Sequence, residues 1–231
     1  MTAVAPPTRR ARRATIGAPV GRTAVARKLT MAVTGLILVA YLVSHVLANM
    51  LAYAGPRYVN GYGALLHATG PLLWAVRAVL LAAAVLHVRA AVQLARDARA
   101  ARGGAYARQV RQAGTYATRT IRWGGALLLV YLLVHVPMFT GGVLHPSFVT
   151  GDDYHNVVHA FRSPWIAALN FVAALAAGLH VQHGVRAAAS SLGTPERAAR
   201  AMRYAAGAIG LLVGVGFASL PLAVVAGVLG D

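Results

Sequence analysis

Five apolar runs, each about 20 residues long and nearly free of charge, constrain this chain more than any other feature. They fall near 29–53, 71–95, 121–143, 164–188 and 205–229. At about 1.5 Å per residue, such a run crosses about 30 Å of hydrocarbon as a helix. A lipid-exposed backbone must satisfy every N–H and C=O internally, which leaves helices or a closed barrel, and runs of this length select helices. Pro71 and Pro164 open the second and fourth runs, where a helix tolerates proline because its first N–H groups lack intrahelical partners. The chain is therefore predicted to be an all-α membrane protein. A five-helix transmembrane domain over 27–231 follows a basic tail at 1–26. The first run is too long for a signal-peptide core. The Arg9-Arg10 and Arg12-Arg13 pairs and the Ala52-Tyr53-Ala54 sequence are therefore read as parts of an uncleaved chain.

Charge is scarce and segregated. Only 12% of the 231 residues are charged, yet the formal net charge is +17. The tail, the 96–122 connection and the 189–203 connection hold nearly all the Lys and Arg, whereas the other two connections hold only Arg57 and Arg162. This distribution predicts a cytoplasmic N-terminus and an external C-terminus. It also excludes nucleic acid as a partner, because no soluble basic domain gathers the arginines into one surface. Cysteine is absent. The chain can therefore hold no iron–sulfur cluster, c-type haem or disulfide, and any redox role needs a non-covalent cofactor and a partner.

An internal repeat singles out four histidines. Gly35, Tyr41 and His45 align without gaps on Gly125, Tyr131 and His135, with ten residues from glycine to histidine in both segments. Leu86-His87-Val88 matches Leu179-His180-Val181, each histidine lying sixteen residues after its proline. Helices one and two thus repeat as three and four in the same sense, about an axis along the membrane normal, and the fifth helix stands outside the repeat. By helical rise, His45 lies about 25 Å from the cytoplasmic boundary and His135 about 20 Å. His87 and His180 enter from the other side and lie about 24 Å past their prolines. The depths predict two pairs, His45 with His135 in the outer half and His87 with His180 in the inner half.

A histidine pair on facing bundle helices suits six-coordinate b-type haem, with both axial positions filled. Two such sites predict two haem b groups and an electron path across the membrane. The competing class is a haem-free proton or metal-ion transporter; the absence of Asp and Glu from all five runs argues against it. His183 follows His180 by three residues but has no counterpart after His87, so the repeat selects His180 as the ligand. His183 is left as a candidate partner for a propionate or a carbonyl. Arg89 and Arg186 flank the inner pair and are candidates to hold propionates, or simply to snorkel to the interface.

These segments resemble the single-chain, five-helix, dihaem cytochrome b anchor of succinate dehydrogenase and fumarate reductase. The resemblance is carried by Thr34-Gly35, Ser44-His45, Leu86-His87, Arg119-Thr120, Tyr154-His155-Asn156, Leu179-His180-Val181-Gln182-His183-Gly184 and Leu192-Gly193. It implies His45/His135 as distal haem ligands and His87/His180 as proximal ones. It further implies a flavoprotein subunit and an iron–sulfur subunit on the cytoplasmic face of a bacterial cell membrane, and electron delivery to a quinone, most simply menaquinone. Membrane lipid is the other expected partner. A dihaem anchor of a formate dehydrogenase or hydrogenase is the alternative within this chemistry. The outer connections offer Tyr58, Asn60, His67, Tyr154 and His155 as a distal quinone region, and Arg27, Thr30 and Thr34 offer a proximal one. Asp152 and Asp153 read most simply as helix-capping residues. Gly210, Gly214 and Gly216 predict close helix packing in the fifth run.

Overall fold

The computed structural model describes residues 23–100, 116–145 and 147–230. Most of the basic tail and the centre of the 96–122 connection lie outside the described residues. The described chain forms seven α-helices and no strand: α1 (Ala24–Met50), α2 (Pro56–Ala68), α3 (Pro71–Ala100), α4 (Tyr116–Gly141), α5 (Asp153–Arg162), α6 (Pro164–Ser191) and α7 (Ala199–Val225). Five of these, α1, α3, α4, α6 and α7, are long and apolar enough to cross a membrane.

Several span ends have a local cause. Thr23 caps α1 by accepting a hydrogen bond from the Ala26 N–H, at 3.1 Å. Pro164 occupies the first turn of α6, and Gly193, with φ 81°, turns the chain out of it. The fifth span sits earlier than hydropathy predicts. Its first turns, which carry Arg200 and Arg203, are already helical, and Gly227, with φ 73°, ends the helix before the apolar run is exhausted. Helical hydrogen bonding is indifferent to side-chain charge, so the helix extends past the hydrocarbon on its charged side.

The two connections read from sequence as loops are largely helical. Gly55 turns into α2, and Pro56 opens it. Asp152 caps α5 by accepting from the His155 N–H at 3.0 Å. Hydropathy did not reveal either helix, because both are too short to span and too polar to score. The Asn60 side chain joins them, donating to Asp152 Oδ1 at 2.9 Å and accepting from the Tyr154 N–H at 3.0 Å.

Helices α6 and α7 share the most extensive interface, and α1 packs on α3, α6 and α7. Glycine makes the α6/α7 approach close: a Cβ at Gly178 would lie 2.6 Å from the Gly210 carbonyl oxygen and 2.8 Å from Gly214 Cα. Gly216 in turn receives the fully buried Val46 of α1. The fifth helix thus braces α6 and α1 from outside the repeat. One apolar core lies where α5 meets α6 and α7, around Val158, Phe161, Leu220 and Val224. A second lies along α6 and α7, around Val181, Val185 and Val213. Helix α4 packs chiefly on α6, and α3 chiefly on α1, so α3 and α4 stand apart.

Candidate functional site: two cross-bundle histidine pairs

The helix arrangement sets four imidazoles across the bundle as two pairs. His45 of α1 faces His135 of α4 with ring centroids 6.3 Å apart and planes at 77°. His87 of α3 faces His180 of α6, also at 6.3 Å, with planes at 70°. These are the partners that depth along the helices indicates. A metal bonded to one nitrogen of each ring at about 2.0–2.1 Å, with each ring centre about 1.1 Å behind its nitrogen, separates two centroids by roughly 6 Å. The observed spacing fits one metal atom held between each pair. Among the described residues no group of three or more His, Cys, Asp or Glu could hold a bare metal ion. Two imidazoles leave most of a metal's coordination positions open, so a metal held at either pair would take its remaining ligands from a cofactor, as in haem.

The surroundings of each ring follow from its helix register. The His87 Nδ1–H donates to the Met31 carbonyl at 3.1 Å, leaving Nε2 as the nitrogen with a free lone pair. Thr34 Oγ lies 3.4 Å from the same Nδ1. In the second half of the repeat, Nδ1 of His180 is buried without a hydrogen bond of normal geometry, although the equivalent carbonyl, that of Ile121, faces it. Both rings lie beside a glycine of a neighbouring helix. A Cβ at Gly35 would come within 3.0 Å of His87 Cε1, and one at Gly125 within 3.4 Å of His180 Cε1. Gly35 thus clears space for the histidine of its neighbouring helix, a role that the spacing alone did not disclose, whereas a Cβ at Gly125 would make only an ordinary contact.

The other pair is set differently. His135 lies between Tyr131 and Phe139, each with its ring centroid 5.0 Å away. Tyr131 Oη sits 2.8 Å from His135 Nδ1 and 2.5 Å from Asn170 Oδ1. Tyr41, the repeat partner of Tyr131, instead stacks flat on His45, with centroids 5.3 Å apart and planes at 10°. Asn49 Nδ2 lies 3.3 Å from His45 Nδ1, and Phe217 of α7 covers the ring from 5.3 Å. Sequence reasoning passed over Asn170 and Asn49. The available signal was an amide inside an apolar helix, which is costly without a specific partner. It also passed over Arg77, a half-buried guanidinium six residues after Pro71, which lies over the Trp74 ring at 4.9 Å.

The remaining candidates separate into engaged and exposed groups. His183 donates from Nδ1 to the Leu179 carbonyl at 2.6 Å, a contact within its own helix, and does not join the His87/His180 pair. With His180 it lines a groove of about 330 Å³ between α4 and α6, walled by Ile121, Trp123, Leu127 and Leu179. Arg89 and Arg186 are exposed. At the α2/α5 end, Asn60 spends its amide joining the two helices. Tyr154 is buried and donates its hydroxyl to the Gly230 carbonyl at 3.0 Å. His155 stacks on His159 with centroids 4.0 Å apart, and its Nε2 reaches the Ser147 carbonyl at 3.0 Å. Tyr58 and His67 are exposed.

The fold and the site define a polytopic membrane protein whose spans bring four intramembrane histidines together as two pairs. Residues 104–217 match the family model described as succinate dehydrogenase/fumarate reductase transmembrane subunit. This stretch takes in α4, α5, α6 and most of α7, and over it the chain is similar to that family. The match includes His135 and His180; His45 and His87 precede it and are tied to it by the repeat. No curated protein and no solved structure matches the chain.

Proposed function

We propose that this chain is the membrane anchor and electron-transfer subunit of a succinate:quinone oxidoreductase. In this reading one haem b is held by His45 and His135 and a second by His87 and His180. A flavoprotein subunit and an iron–sulfur subunit dock on the cytoplasmic face, and a quinone, menaquinone most simply, accepts electrons at the α2/α5 end. The carrying observation is the spacing of the two pairs, 6.3 Å in each, within a bundle similar to this family.

Haem bound there would supply one-electron redox chemistry; the chain's own contribution is positional. His45 with His135, and His87 with His180, would each hold one haem between two imidazoles, an arrangement that would suit electron transfer over oxygen binding. The Met31 carbonyl fixes the tautomer of His87. Gly35 lets the His87 ring and the α1 backbone approach closely, and α7 packs on α6 and α1. Tyr58 and His67 supply exposed polar groups for a quinone at the α2/α5 end, while Asn60 and Tyr154 support that end structurally.

A reduced-minus-oxidised visible spectrum of the purified complex should show b-type bands, and flavin- and iron–sulfur-containing subunits should co-purify. His87→Ala should remove one haem of two and spare the other, whereas His183→Ala should leave two. Retention of both haems in His87→Ala would overturn the ligand assignment. Co-purification of a formate dehydrogenase or hydrogenase subunit would move the anchor to another complex.

A further inference from the structure

The His45/His135 pair is built unequally, and the inequality arises from one buried amide. Asn170 is 8% exposed in the apolar interior of α6. Its Nδ2 donates to the Ile166 carbonyl at 2.9 Å, which fixes the amide so that Oδ1 faces Tyr131. Since Oδ1 can only accept, the Tyr131 hydroxyl donates its single proton to it, at 2.5 Å. The phenol oxygen then has only lone pairs for His135, so the 2.8 Å contact is made by the His135 Nδ1–H. The relay runs His135 to Tyr131 to Asn170 to Ile166, crossing from α4 to α6. It leaves Nε2 of His135 unprotonated, the state a metal ligand requires.

The first half of the repeat lacks this relay. Tyr41 occupies the position of Tyr131, but Arg77 occupies that of Asn170, each pair keeping the offset of its own repeat helix. A guanidinium offers donors only, so it cannot accept the tyrosine proton. Tyr41 accordingly meets His45 with its ring face, and the Asn49 side-chain nitrogen, which donates to the His45 carbonyl at 2.8 Å, lies 3.3 Å from His45 Nδ1.

We propose that Tyr131 and Asn170 are positioning residues for the His45/His135 site, locking the His135 tautomer and making its imidazole the more electron-rich ligand of the pair. The inference rests on the haem reading above. A hydrogen bond donated from Nδ1 pushes electron density toward Nε2, and the onward bond to Asn170 strengthens the tyrosine oxygen as acceptor. An electron-rich ligand favours the oxidised metal, so the relay holds the potential of this haem down.

The test is spectroelectrochemical titration of both haems in the purified complex. Tyr131→Phe keeps the ring and deletes the hydroxyl. It should raise the potential of the His45/His135 haem by about tenfold in the one-electron equilibrium, about 59 mV, with haem content still two and the other haem unmoved. Asn170→Ala should shift the same haem in the same direction by less. Asn170→Asp keeps an acceptor oxygen for the tyrosine and should not raise it. Tyr41→Phe, at the equivalent position, should leave both potentials within a twofold shift. If two haems are present in every variant and Tyr131→Phe leaves the potential unmoved, or moves both haems alike, the relay has no such role while the haem reading stands. If the unsubstituted complex carries no b-type haem, the haem reading fails and the relay's role falls with it.

Discussion

Asp152 and Asp153 are adjacent, carry the same charge and sit at one helix start, yet burial and hydrogen bonding push them apart. Asp152 accepts from the His155 N–H and from the Asn60 amide, and these bonds hold its carboxyl below the usual range. Asp153 is half-buried against Gly63 of α2, where a Cβ would collide with its carboxylate, and burial pushes its carboxyl up despite His67 nearby. The two therefore answer pH in opposite senses. The Asp152 cap contributes above the ordinary carboxylate range and is lost as pH falls through its lowered value. Asp153 opposes the fold once it ionises, so its penalty grows as pH rises through its raised value. Asp152→Ala should cost about 1 kcal/mol at neutral pH, read by thermal unfolding in detergent. Asp153→Asn should stabilise the protein at neutral pH, and the gain should vanish in acid; a gain that persists below the carboxylate range would show that charge burial is not its cause. The sequence reading of both residues as caps holds for Asp152, while Asp153 lies against the neighbouring helix.

At the scale of elements, the α6/α7 interface shows which glycines matter. Gly178→Ala would drive a methyl into two backbones, at 2.6 Å from the Gly210 oxygen and 2.8 Å from Gly214 Cα. Backbone cannot swing aside as a side chain can, so the helices must separate, at a cost of about 1–3 kcal/mol. Gly207→Ala, where the nearest atom is the end of Gln182 at 3.8 Å, should be neutral or stabilising because alanine is the better helix former. Thermal stability of the two variants in one detergent checks the contrast; equal destabilisation would mean that helix contact is not the determinant. The glycine pattern of the fifth run was legible as a packing signal. Its partner glycine on α6 was not, because Gly178 stands alone in an alanine-rich stretch and only the docked helices show what it faces.

For the whole molecule, the repeat explains the four-histidine arrangement, and its breaks explain the rest. Helix α7 has no repeat partner and lies on α6 and α1, so the pseudo-symmetric bundle is closed on that side while α3 and α4 stand apart on the other. The orientation proposed from the basic connections can be read directly, because the chain has no native cysteine. In intact cells a membrane-impermeant maleimide should label Tyr58→Cys and spare Arg186→Cys. The reverse pattern would invert the orientation and place the soluble subunits at the α2/α5 end.

The sequence by itself determined the five spans, the repeat and the pairing partners of the four histidines. Hydropathy reports transfer into lipid, and helical rise converts residue number into depth without knowledge of any neighbour. It could not determine what surrounds each imidazole. Asn170 binds Tyr131 across two helices, Gly35 makes room for a ring on α3, and Asn60 joins α2 to α5. Each of those contacts depends on the rotation of one helix against another. That rotation is settled by the packing of α6, α7 and α1, and no periodicity within a single segment encodes it.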